Sequence, residues 1–265
     1  MDVKIADADA NLRKMHLRLG ETTAAGAQLT VFPECTTTGY CFESIAEARA
    51  VAESIDGENM RRILAMCVER RTMVIFGFLE LAEEHVFNSV ALVGPGGVLG
   101  VYRKAHLPFL GVDRFTTPGS QPFEVIETAD LRIGMNICYD SSFPEAARVL
   151  AIRGADLIAL PTNWPPTSGL TADVIPNARA LENHVYFMSI NRVGTERGIS
   201  FIGKSKICDP RGESLAFADH ADEAILLAEI DPGFARQKHR VNIPGVHEVH
   251  RIDDRRPDIY GPLTE

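Results

Sequence analysis

Apolar positions recur along this chain in two rhythms, and the alternation between them predicts its elements. Residues 9–25 carry helical spacing, with Leu12, Met15 and Leu19 on one face and Asp9 placed to cap the start. QLTVF (28–32) is a short continuous apolar run and reads as a buried strand. Helical spacing returns over 58–71 through Met60, Ile63, Leu64 and Cys67. MVIFGFL (73–79) and FNSVALV (87–93) read as strands, and Gly94-Pro95-Gly96-Gly97 turns the second into VLGVYR (98–103). The second half repeats the pattern. Phe123–Ile126, LRIGMNI (131–137), ADLIAL (155–160), VYFMSIN (185–191), FIGKSKI (201–207) and AILLAEI (224–230) are predicted strands. Pro144–Arg153 and Ala178–His184 are predicted helices. Some connections are hairpin-like and others carry helices, which predicts an α/β fold with a mixed sheet. The last residues, about 236–265, are polar with little periodicity and read as a surface tail.

Composition narrows the class. The chain has 265 residues, 45% of them hydrophobic and 24% charged, which are ordinary globular proportions. A formal net charge of -9 with no basic cluster argues against a nucleic-acid partner. No apolar run reaches the length of a membrane span, and the first residues, MDVKIADADA, lack a signal-peptide pattern. Five cysteines are too few and too odd in number for a disulfide framework. They predict free thiols in a reducing, cytoplasmic setting. The eight histidines are scattered, His247-Glu248-Val249-His250 lacks HExxH spacing, and no CxxC or GxGxxG occurs. Chemistry without metal or cofactor is therefore expected.

Three strand-like runs end abruptly in a reactive residue. QLTVFP ends at Glu34, VLGVYR at Lys104 and LRIGMNI at Cys138. Each alone reads most simply as an exposed charge or a packed thiol. Together they supply a base, a cation and a nucleophile at strand ends, where active sites of α/β sheets gather. Cys138 also precedes a short polar turn and Pro144, a residue suited to start a helix. That strand–turn–helix order is the layout of a nucleophile elbow. Cys35, Cys41, Cys67 and Cys208 have no such surroundings and read as packing or pocket thiols.

TVFPE around Glu34, YRKAHLP around Lys104 and NICYDSSFPEAARVLAIRGAD around Cys138 resemble the nitrilase superfamily of carbon–nitrogen hydrolases. PTNWP (161–165), RALENHVYFMSINRVG (179–194) and FIGKSKICDPRGE (201–213) extend the resemblance over nearly the whole chain. It implies a single domain over 1–265, built as a four-layer α-β-β-α sandwich that dimerises into an eight-layer assembly. Glu145, Arg148, Arg179 and Glu182 fall on helices resembling the family's dimer face; as plain sequence they are solvated charges. The resemblance also implies a triad of Glu34 as base, Lys104 as cation and Cys138 as nucleophile, with the Tyr139 backbone N–H completing an oxyanion site.

Three departures from the family pattern stand out. The second glutamate often found after the lysine is missing, and Asp113 is the expected substitute, with a side chain one methylene shorter. Ser141 and Ser142 stand where members acting on carboxylate-bearing substrates often carry an arginine; Arg192 or Arg197 are the alternatives. The usual first strand is not found before MDVKIADADANL; the expectation is either a misassigned or truncated start or a fold that tolerates an open sheet edge. Phe109, Phe115, Asn163 and Trp164 are expected near the substrate, although ordinary core packing is the favoured reading for the two phenylalanines.

The expected activity is hydrolysis of a small amide through a cysteine thioester, releasing ammonia or an amine. A nitrilase using the same triad, a catalytically impaired scaffold and an acyltransferase are the competing readings. The expected partners are a small amide or nitrile and a second copy of the chain.

Overall fold

The computed structural model describes residues 1–263 of the chain. Helix α1 (Ala8–Ala24) opens under the Asp7 side chain, which accepts from Ala10 N–H at 3.0 Å. The cap is thus two residues ahead of Asp9, which lies inside the first turn. Strand β1 (Leu29–Val31) follows, then α2 (Ile45–Arg49) and α3 (Glu58–Arg70). β2 (Met73–Ala82), β3 (His85–Gly94) and β4 (Gly97–Arg103) complete a four-stranded sheet in the order β1-β2-β3-β4. β1 runs parallel to β2, and the rest is antiparallel.

The second sheet begins with β5 (Val125–Glu127) and β6 (Arg132–Met135). Helix α4 (Pro144–Ile152) starts at Pro144 as the sequence predicts, and β7 (Leu157–Thr162), α5 (Gly169–Asn183) and β8 (Tyr186–Asn191) follow. A separate hairpin, β9 (Val193–Glu196) and β10 (Ile199–Ile202), precedes β11 (Lys206–Cys208) and β12 (Ser214–Phe217). The six-stranded order is β12-β11-β8-β7-β6-β5, with β6, β7 and β8 parallel. The sheets are mixed, in keeping with the sequence reading.

One apolar cluster joins both sheets. Ile75, Val90 and Leu92 of the first meet Ile133, Ile158, Leu160 and Phe187 of the second, with Leu150 of α4 and Ala180 of α5. A second cluster packs Leu12, Met15 and Leu19 of α1 and Met60, Ile63 and Cys67 of α3 on Phe76 and Ala91. Burying an aliphatic side chain is worth roughly 1.5–3 kcal/mol, so these seams fix how the sheets face each other.

Four sequence expectations need correction. AILLAEI (224–230) is not a strand. Leu226, Ala228 and Ile230 pack on Tyr186 and Met188 while Ile225 and Leu227 are exposed, so the two-residue period is real. No neighbouring strand pairs with it; it lines an apolar hollow with β1, an edge strand. FIGKSKI divides between β10 and β11, which lie in different sheets. The helix expected from Ala178 begins at Gly169 and runs through Pro176, a residue with no N–H to give the helix ladder. The region beyond Asp231 is not patternless: it holds α6 (Pro232–Arg236) and a hairpin of β13 (His239–Ile243) and β14 (His247–His250).

Candidate active site

Glu34, Lys104, Asp113 and Cys138 come from four separate segments. Glu34 follows β1 across Phe32-Pro33, held against Gly77 of β2 so closely that a Cβ there would lie 2.7 Å from the Glu34 Cα and 2.3 Å from the Cys35 nitrogen. Lys104 directly follows β4. Asp113 lies in a 3-10 turn, Gly111–Arg114. Cys138 opens another, Cys138–Ser142, after β6. Its φ of 43° is left-handed, a conformation that costs a non-glycine residue energy and that packing must maintain. The strand–turn–helix order predicted around this thiol is present.

Three of these side chains form a buried ionic cluster. Lys104 Nζ donates to Glu34 Oε1 at 2.7 Å and to Asp113 Oδ2 at 2.6 Å, with lysine and both acids fully enclosed. The Asn88 amide bridges the same acids, 2.7 Å from Glu34 Oε1 and 2.8 Å from Asp113 Oδ1. Tyr40 O–H gives Asp113 Oδ2 a second donor at 2.8 Å. Asp113 therefore reaches the lysine despite its shorter side chain. Glu34 Oε2, by contrast, is buried with no hydrogen-bond partner. The Tyr139 backbone N–H lies in the first turn of this 3-10 helix, where N–H groups lack intrahelical partners.

Two carboxylates share one ammonium, which sets the protonation of the cluster. Burial raises the Glu34 carboxyl above its usual value; Lys104 opposes this and Asp113 adds to it. Burial alone would lower Lys104, yet Asp113 and Glu34 hold its ammonium well above the ordinary value. Burial, then the Glu34 charge, pushes the Cys138 thiol up to about 12, against the pull of Lys104. These surroundings favour the neutral form of the Cys138 thiol, so ionising it needs a base rather than the medium.

The remaining expected residues scatter. Asn163 is buried, its Nδ2 donating to the Glu34 carbonyl at 3.2 Å and its Oδ1 unpartnered. Trp164 is buried in the core cluster that contains Cys138. Phe109 is 90% exposed and lines a surface hollow with Cys41, Glu43, Arg114 and Arg197; nothing encloses it as the wall of a pocket. Phe115 packs beneath the Arg114 guanidinium, 4.7 Å from its ring centre. Arg192 and Arg197 are committed elsewhere, to Glu196 and to Glu47. Arg179, expected at a helix surface, is buried, and both Nε and Nη2 donate to the Ser141 carbonyl in the cysteine turn.

Sequence reasoning missed Asn88 and Asp140, and read Cys35 only as a packing or pocket thiol. Asn88 is a buried amide that, with Ser89, interrupts the apolar run of β3, and that interruption was its signal. The Cys35 thiol lies 3.6 Å from Asn88 Oδ1, which leaves the amide nitrogen facing the acids. Asp140, two residues after the nucleophile, is fully buried with four hydrogen bonds.

Comparison with known proteins gives a consistent picture. The Carbon-nitrogen hydrolase family model matches residues 1–240. A nitrilase from Pyrococcus abyssi is 38% identical over 98% of this chain and 96% of its own length. An N-carbamoylputrescine amidase from Arabidopsis thaliana is 31% identical over 97% and 91%. The crystal structure of a carbon-nitrogen hydrolase from Helicobacter pylori superposes with a TM-score of 0.86 at 26% identity, covering 100% of this chain and 96% of that one.

Proposed function

Because the chain belongs to the carbon-nitrogen hydrolase family, we propose that Cys138, Glu34 and Lys104 hydrolyse a small, non-peptide amide through a thioester. Glu34 Oε2 takes the thiol proton as Cys138 Sγ bonds the amide carbon. The developing oxyanion is held by the Lys104 ammonium and the Tyr139 N–H, donors worth roughly 3–4 kcal/mol each when preorganised. Glu34 then returns the proton to the departing nitrogen, and ammonia or an amine leaves as the C–N bond breaks. Water, deprotonated by Glu34, attacks the thioester, and the acid leaves as the thiol is regenerated. Asp113 and Asn88 keep Lys104 charged and in place.

The observation that carries this reading is the buried, unpartnered Glu34 Oε2. It is an acceptor awaiting a donor, and an amide N–H or a thiol S–H supplies one. A nitrile would use the same groups, and the similarity to an N-carbamoylputrescine amidase favours amides. The nitrilase reading stands second, favoured by the 38% identity to the Pyrococcus abyssi nitrilase. The same reading treats the chain as one domain, a four-layer sandwich that pairs with a second copy; the two clusters packed on either face of the β1–β4 sheet support the layering.

Intact mass after incubation with short aliphatic amides tests it, alongside product analysis on paired amides and nitriles. An acyl adduct that disappears in Cys138→Ala is expected. Acid from nitriles but not amides reverses the preference, and a folded protein that never acylates favours the scaffold.

A further inference from the structure

Asp140 is not among the groups that would touch substrate, yet its carboxylate is tied to both halves of the site. Its Oδ2 accepts from the Ile137 N–H at 2.9 Å and the Tyr102 O–H at 2.8 Å. Its Oδ1 accepts from the His106 N–H at 3.1 Å and lies 2.7 Å from His106 Nδ1. Ile137 immediately precedes the nucleophile, while Tyr102 and His106 flank Lys104 by two residues on either side. The carboxylate thus joins the turn after β6, in one sheet, to the end of β4, in the other. His106 extends the joint, stacking on Phe143 with ring centroids 3.8 Å apart and planes within 15°. Phe143 caps α4 at the far end of the same turn.

This arrangement answers a specific need. Cys138 is held at φ 43°, which an L-residue keeps only when its neighbours over-determine it. The oxyanion donors come from two separate segments, the Tyr139 N–H from the turn and the ammonium from β4, so their spacing is set by whatever fastens turn to strand. We propose that Asp140, reading out through Tyr102 and His106, is a positioning residue that fixes the Cys138 turn against the Lys104 strand and so sets the nucleophile-to-oxyanion geometry. The inference rests on the amidase reading above for its kinetic consequence, while its structural content is independent of it.

Asp140→Asn keeps the shape but replaces one two-bond acceptor with a donor. Tyr102→Phe removes a single hydroxyl and leaves the Ile137 and His106 bonds. On an amide that the parent turns over, kcat normalised to acylable thiol is expected to fall about 100-fold in Asp140→Asn and about 10-fold in Tyr102→Phe, with KM within about threefold. A residue that merely stabilises the fold lowers the fraction of titratable sites and leaves normalised kcat unchanged. A normalised kcat within about twofold of the parent in a folded Asp140→Asn variant overturns the proposal.

Should the parent hydrolyse nothing, the functional reading fails but this one is still tested, by the rate at which iodoacetamide alkylates Cys138. With the turn loosened from base and cation, that rate is expected to fall at least about tenfold in Asp140→Asn. A rate equal to or above that of the parent overturns the proposal. Circular dichroism and thermal unfolding of both variants establish that folded protein is compared.

Discussion

Lys104 Nζ stands 2.6 Å from Asp113 Oδ2, marginally closer than the 2.7 Å to Glu34 Oε1. The aspartate that sequence offered as a short replacement is therefore a full partner of the lysine. It shares the ammonium, and the Asn88 amide, with Glu34. Removing one member of a buried ion pair typically costs about 3–5 kcal/mol, because the charge left behind stays buried. Asp113→Ala is expected to lower the urea midpoint accordingly. Asp113→Asn, which keeps the shape, is expected to lower kcat more than it lowers stability.

Asn88 holds both carboxylates with one amide nitrogen. In Asn88→Leu, Glu34 and Asp113 lose a shared donor, at about 1.5–3 kcal/mol for a bond to a charged acceptor. With less stabilisation of its ionised form, Glu34 is expected to titrate still higher. The measurement is the acid limb of kcat/KM against pH, which moves to higher pH than in the parent.

The parent's pH dependence follows from the same cluster. In the proposed mechanism Glu34 must be ionised to accept the thiol proton, and burial holds its carboxyl above the usual value near 4.5. Activity is therefore expected to be lost as pH falls through this raised value. On the alkaline side Lys104 is held above 10.5 and the thiol titrates at about 12. Above that acid limb, a plateau without a rise near 9, where an ordinary thiol ionises, is the expected profile. A rate tracking thiolate formation near 9 would count against Glu34 as base.

Gly77 packs β2 directly on the Glu34 backbone. Gly77→Ala would place a methyl against main-chain atoms that have no flexible end to move. The Glu34 loop must shift, and a displacement of about 1 Å in a catalytic group can cost about 100-fold in rate. Steady-state kinetics beside circular dichroism checks this: a folded protein with sharply reduced kcat is expected.

By itself the sequence determined the α/β class, most strand and helix positions, and the three reactive strand ends, because hydrophobic period and local turn chemistry are written in consecutive residues. It marked Glu34, Lys104 and Cys138, each standing where an apolar run stops. It did not determine which strands pair. AILLAEI has the alternation of a strand but finds no ladder, since pairing depends on what lies alongside in space. The start of α5 was hidden for a related reason: tertiary packing overrode the local effect of Pro176. Only the tertiary structure decided that Asp113 and Asn88 complete the ionic cluster, that Arg179 reaches the cysteine turn, and that Phe109 stays outside. Those residues act through contacts between distant segments, and a buried charge becomes affordable only once such partners surround it.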